Sequence, residues 1–111
     1  MNIVVREYKR CDLIEVAGRI DSQTAPRLSQ TFQSITEANR FKVVVDMSQI
    51  DYISSAGLRT LIDAQKTCKR WNRGQVALAG VQASVMEVFD LVGFVPLFQF
   101  FDDATSAVAS F

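Results

Sequence analysis

The segment Phe41 to Met47 (FKVVVDM) limits the fold of this chain more than any other. Its centre is three consecutive β-branched residues, Val43, Val44 and Val45, with no polar alternation. A strand with one wet face alternates apolar and polar side chains. A strand apolar at successive positions fits cover on both faces, as in parallel sheets. Such a strand needs partner strands beside it and helices above and below it.

The flanking sequence supplies both. Residues 2–8 (NIVVREY) and 12–18 (DLIEVAG) read as two short strands joined by a turn at Lys9-Arg10-Cys11. In the second, Leu13, Glu15 and Ala17 point one way and Ile14 and Val16 the other. Residues 24–39 carry Ala25, Leu28, Phe32 and Ile35 at helical spacing, with Thr24 as the N-cap and Pro26 in the first turn. The longest helical pattern, 55–73, has an inner stripe of Leu58, Leu61, Ile62, Gln65 and Cys68. Its outer stripe is Arg59, Asp63, Lys66, Arg70 and Arg73, and Gly74 ends it. Residues 75–79 form another strand. Ser84 and Glu87 have the spacing of a capping box for a helix with Val85, Val88, Phe89 and Val92 inward and Gly93 as its stop. Leu97 to Phe101 reads as a last strand. Asp102 and Asp103 can cap a final helix carrying Ala104, Ala107, Val108 and Phe111.

The expected order is β-β-α-β-α-β-α-β-α. That predicts an α/β fold with a mixed, mostly parallel sheet of about five strands and about four helices, and right-handed crossovers. The 111 residues suit one domain spanning 1–111. Sites in such sheets gather where strands lead into helices. Two loops fill that role, Gly18 to Thr24 and Asp46 to Gly57.

Composition narrows the chemistry. There is no histidine, so Ser-His-Asp and Cys-His catalysis and histidine metal sites are excluded. Twelve basic and 12 acidic residues balance, which removes the usual charge footprint of a nucleic-acid binder. Cys11 and Cys68 suit a reducing compartment better than a disulfide scaffold. Met1 to Arg10 lacks the apolar core of an export signal, and no stretch approaches the ~20 apolar residues of a membrane span. The expectation is a cytoplasmic domain without cofactor or metal. The five glycines are scattered, so no phosphate-cradling loop is present. Asp46 and Asp51 are the only carboxylate pair worth weighing for catalysis. Nothing nearby completes a metal set, and the chain reads as a non-enzyme.

Two serines, Ser54 and Ser55, stand immediately before the second helix. Each can be an ordinary N-cap, its oxygen accepting from a free backbone N–H. Alternatively, one is an accessible hydroxyl whose phosphate would face those N–H groups and the positive end of the macrodipole.

The stretch Val43 to Leu61 (VVVDMSQIDYISSAGLRTL) resembles the signature of the STAS domain, specifically bacterial anti-sigma factor antagonists. Asp46-Met47-Ser48 matches the Asp-hydrophobic-Ser turn that ends a buried strand. Ile53-Ser54-Ser55-Ala56-Gly57-Leu58 matches the segment that opens the second helix, and Gly18-Arg19-Ile20-Asp21 matches a further element. The resemblance implies a protein that binds an anti-sigma factor which is also a serine kinase of the GHKL type. Phosphorylation of the antagonist would release that partner, and a PP2C-type phosphatase would reset it. By the motif, the acceptor is Ser55, ahead of Ser54. The implied docking residues are Asp21, Ser22, Thr24, Asp46, Ser48, Ser54, Ser55, Ala56, Gly57 and Leu58. For Asp46, an Asx-type turn bonded to its own backbone is the competing role.

The sequence departs from the family pattern twice. Ser54 stands where an acidic residue often precedes the acceptor, and Arg19 stands where acidic residues are frequent. Both change the charge at the rim of the docking surface. STAS-like domains also serve in transport, lipid-trafficking and stress-signalling assemblies without such a switch. The basic outer stripe of the second helix reads as a solvated face that complements the helix C-terminus, with a partner or membrane surface as the alternative.

Overall fold

A computed structural model describes residues 1–111. Strands β1 (Asn2–Glu7) and β2 (Asp12–Ile20) form the opening hairpin, paired antiparallel. Helix α1 (Ala25–Glu37) then crosses to β3 (Lys42–Ile53), and α2 (Ser55–Lys69) crosses to β4 (Gln75–Ala79). Helix α3 (Ala83–Leu91) leads to the short β5 (Gln99–Phe101), and α4 (Ala104–Ala109) closes the chain. The five strands lie in the order β1-β2-β3-β4-β5, parallel from β2 onward. The expected mixed, mostly parallel sheet with four helices is present.

The central valines do what their pattern requires. Val43, Val45 and Met47 face the larger core, with Ile14 and Val16 of β2 and Val76 and Leu78 of β4. Leu28, Phe32 and Ile35 of α1, Leu58 and Leu61 of α2, and Val85 and Phe89 of α3 cover that face. Val44 faces the opposite side, with Leu13, Ala77, Ala79 and Ala107 of α4. The alanines there are small, which suits a helix of six residues lying close to the sheet. Five side chains of β3 (Val43, Val44, Val45, Met47 and Ile50) have no exposed surface. At about 1.5–3 kcal/mol per fully buried aliphatic side chain, this strand is the main apolar anchor of the fold.

Several boundaries differ from the sequence expectation. The expected loop from Asp46 to Gly57 is mostly strand, since β3 continues to Ile53 and β2 to Ile20. After one register shift between Glu15 and Ala17, Gly18, Arg19 and Ile20 pair with Ile50, Tyr52 and Ile53 across a second. Buried Met47, Ile50 and Ile53 recur every third residue, a phase that only bulges reconcile with a strand. Helix α2 stops at Lys69 rather than Arg73. A 3-10 turn at Arg70–Asn72 follows, with Trp71 and Asn72 left-handed at φ 62° and 55°. The Ser84–Glu87 box is not formed. Helix α3 starts two residues earlier, after Gln82, whose amide is tied to the Ser48 carbonyl at 2.9 Å. Val92 lies beyond the end of α3 and is exposed, not inward. Pro96 sits in a 3-10 turn, Val95–Leu97, so β5 begins at Gln99.

Candidate functional site

Strands β2 and β3 end side by side, and their last residues hold the start of α2. The Ser54 N–H donates to the Ile20 carbonyl at 2.8 Å. The Ser54 hydroxyl accepts from the Gly57 N–H at 3.3 Å, so Ser54 is the N-cap of α2. Its carbonyl accepts the Leu58 N–H at 2.9 Å. Three bonds fix Ser54 in the junction. Ser55 is the first residue of the helix; it is exposed, and its hydroxyl has no partner within the chain.

Gly57 explains why the first turn can sit this low. A Cβ there would lie 2.6 Å from Ile20 Cγ2 and 2.8 Å from Ile53 Cγ1. Only a bare backbone lets α2 rest on the ends of both strands. Leu58 then buries its side chain in the core.

The loop from Asp21 to Thr24 is braced from within. Asp21 Oδ1 accepts the backbone N–H groups of Gln23 at 2.9 Å and Thr24 at 3.0 Å. The Thr24 N–H, more than any other group, holds the Asp21 carboxyl below its ordinary pKa, with Gln23 and nearby Arg19 adding to the effect. Thr24 occupies the N-cap position of α1, but its hydroxyl makes no cap bond there. It donates instead to the Arg19 carbonyl at 2.7 Å and accepts the Asp21 N–H at 2.9 Å. Ser22 is exposed on this loop. Arg19 lies over the Tyr52 ring, 4.1 Å from its centroid, a contact worth about 0.5–1 kcal/mol at an exposed site.

The expected docking set falls into two groups. Asp21, Ser22, Thr24 and Ser54 to Leu58 share one end of the sheet. Asp46 and Ser48 lie farther back along β3. Asp46 Oδ1 accepts the Ser48 N–H at 3.0 Å, the Asx-type turn that competed with a partner contact. Ser48 meets the loop before α3, where its carbonyl receives Gln82.

Sequence reading missed two features. The first is the Arg19–Tyr52 stack, which only the bulged pairing of β2 with β3 brings together. The second is a groove of about 540 Å3 beside Ser55, walled by Leu58, Arg59, Ile62 and Lys66 of α2 with Val92 and Phe94. Phe94 is half-buried, and its place against α2 follows from no local sequence pattern. No three His, Cys, Asp or Glu side chains gather as a metal site would require, and no helix is long and apolar enough to cross a membrane.

The STAS domain profile matches residues 2–107. BtrV of Bordetella bronchiseptica, provisionally named an anti-sigma factor antagonist, is 31% identical over 94 residues, covering 85% of this chain and 80% of BtrV. An anti-sigma-B factor antagonist of Listeria monocytogenes is 27% identical over 97 residues, covering 84% of this chain and 83% of that protein. Among solved structures, the anti-sigma factor antagonist SpoIIAA in its unphosphorylated form superposes with a TM-score of 0.83 at 13% identity, covering 98% of this chain and 95% of that one. The phosphorylated form of SpoIIAA, from Bacillus, gives 0.77 at 11% identity, with 98% of each chain covered. These two likenesses concern the fold. With the profile spanning nearly the whole sequence and BtrV related over most of it, the chain belongs to the STAS domain family.

Proposed function

We propose that this chain is an anti-sigma factor antagonist working as a single cytoplasmic domain. It binds an anti-sigma factor that is also a GHKL-type serine kinase, and phosphorylation at Ser55 releases that partner. A PP2C-type phosphatase reverses the modification. The surface around Asp21, Ser22, Thr24 and Ser54 to Leu58 makes the contact, with Asp46 and Ser48 at its far side. The domain itself carries out no catalysis.

One observation carries this reading: Ser54 caps α2, so the Ser55 hydroxyl stands free beside it. A phosphate on Ser55 adds about −1.5 to −2 charge at a helix N-terminus, where backbone N–H groups and the macrodipole favour it. The domain therefore keeps its fold while its docking surface becomes more acidic. BtrV and the Listeria protein support the class of function by their names, and SpoIIAA is known in a phosphorylated form on the same fold.

The test incubates the protein with each candidate GHKL-type anti-sigma factor and ATP, then maps the phosphate by mass spectrometry. Modification at Ser55, abolished in Ser55→Ala, is the expected result. Ser55→Asp is expected to keep the parental circular dichroism and to lose retention on the immobilised partner. Modification of Ser54 alone, or full retention by Ser55→Asp, would reject the switch.

A further inference from the structure

At the end of the sheet opposite Ser55, the β1–β2 turn, the α1–β3 connection and the corner between α2 and β4 come together. They enclose a cleft of about 160 Å3 lined by Arg10, Cys11, Asn39, Arg40, Phe41, Lys42 and Arg73. Four of these seven residues are cations.

Arg40 already has a task. Its Nε donates to Asp12, which is buried, at 2.8 Å, and a terminal nitrogen reaches the Cys11 carbonyl at 3.2 Å. The other three cations have no carboxylate within 4 Å, since the ion pairs of the chain involve only Arg6 and Arg40. Arg73 is nevertheless held in place. It donates to the carbonyls of Arg70 at 3.0 Å and Thr67 at 3.1 Å, and its guanidinium lies 3.7 Å from the centroid of the Phe41 ring. Gly74 allows the close approach, because a Cβ there would meet the Phe41 carbonyl oxygen at 2.2 Å.

Complementing a helix C-terminus accounts for Arg73, which bonds the Thr67 carbonyl in the last turn of α2 and the Arg70 carbonyl just beyond it. It does not account for Arg10, in the connection between β1 and β2, or Lys42, at the start of a strand. Unpaired, convergent and partly preorganised cations around a cleft of this size match a phosphoryl group, which Arg binds through its planar fork and Lys as a point charge. We propose that this cleft binds a phosphoryl group, with Arg10, Lys42 and Arg73 as its contacts. The phosphoryl belongs either to a soluble phosphoester or to a lipid headgroup at a membrane surface. Because β3 starts at Lys42 and ends one residue before Ser54, the bound group leaves the serine end open. The inference stands apart from the reading of Ser55.

Trp71 reports on the site. It is the single tryptophan, is 81% exposed and lies two residues before Arg73. The full chain is titrated with inorganic pyrophosphate at fixed ionic strength, followed by Trp71 fluorescence and backbone amide NMR. A parallel arm measures co-sedimentation with phosphatidylcholine vesicles, with and without phosphatidylglycerol. Saturable one-site pyrophosphate binding, with shifts at residues 10, 39–42 and 73, assigns a soluble phosphoester. Sedimentation that requires phosphatidylglycerol assigns a headgroup. In either arm, joint Arg10→Gln and Lys42→Gln substitution is expected to weaken binding about tenfold or more. Arg73→Lys, which keeps the charge but loses the fork, is expected to weaken it less, and Arg59→Gln, on the other half of α2, not at all. Arg40 is left intact in these variants because Asp12 depends on it. Binding in neither arm, equal binding by parent and double variant, or shifts confined to the Ser55 end would overturn the proposal.

Discussion

At the start of α2, one serine hydroxyl is bonded to the Gly57 N–H and the next faces solvent. The difference comes from backbone position: Ser54 is extended, at φ −91° and ψ 173°, so its side chain turns back over the first helical turn. Gly57 completes the arrangement by letting that turn approach Ile20 and Ile53. The substitution Gly57→Ala forces its methyl against two β-branched side chains attached close to the backbone. Overpacking of this kind costs about 1–3 kcal/mol, partly offset by about 1 kcal/mol from the better helix propensity of alanine. The expected net loss is up to about 2 kcal/mol in urea unfolding, with weaker capture by the partner because the helix start moves. A stabilised Gly57→Ala variant would show that the contact is slack. Gln65 has a comparable structural importance that its sequence position hid. It lies on the inner stripe of α2, where its amide bonds both the N–H and the carbonyl of Val76 and reaches the Leu97 carbonyl at 2.8 Å. Those groups precede the short pairing of β4 with β5, which starts only at Ala77 and Gln99, so the side chain stands in for a missing strand.

Among the elements, those with a clean period were readable. The β-branched run of β3 and the 3–4 spacing in α1 and α2 correspond to buried faces, because one period served along the whole segment. Readability failed where local chemistry offered two solutions. The second half of β3 has apolar residues every third position, which matches neither strand nor helix until bulges reset the phase. The candidate site was legible in part for the same reason. The serine pair and Gly57 are local, whereas the groove beside Ser55 needs Val92 and Phe94 from a distant segment. Capping offers a direct comparison. Asp103 accepts the Ser106 N–H at 2.7 Å and starts α4, whereas Ser84 lies inside α3 and caps nothing. Asp103→Ala is expected to cost about 0.5–2 kcal/mol, and Ser84→Ala less than about 0.5 kcal/mol. Thermal unfolding of the two variants decides this. Equal losses would mean that the capping box forms after all.

Across the whole molecule, zero net charge conceals a separation. Lys9, Arg10, Arg40, Lys42, Lys69, Arg70 and Arg73 lie toward the end where the parallel strands begin. Asp21, Asp51, Asp102 and Asp103 lie toward the end where they finish, so each end has an excess of one sign, although Glu7, Asp12 and Glu37 share the basic end and Arg19 and Arg59 the acidic one. A chain without histidine also lacks the one side chain that ordinarily titrates between about pH 5 and 8. The expected pH profile of stability is therefore a flat plateau with two edges, set by different groups. Backbone N–H bonds, from Thr24 to Asp21 and from Ser106 to Asp103, hold both carboxyls below their ordinary 3.8. The unfolded chain binds protons there before the folded one does, so stability is present above that value and is lost as pH falls through the lower folded values. The opposite edge belongs to the thiols. Burial pushes Cys68 up to about 11 from 9.0 and raises Cys11 as well. The unfolded thiols ionise first, so stability falls as pH rises from 9.0 toward 11. The urea midpoint is expected to hold steady from about pH 5 to 8 and to decline on both sides. Joint Asp21→Asn and Asp103→Asn substitution should flatten the acid limb alone, and Cys68→Ala the alkaline limb alone. An acid limb unchanged by the double substitution would mean that other carboxylates govern it, and that the bonds bracing the serine-end loop and capping α4 contribute little to stability.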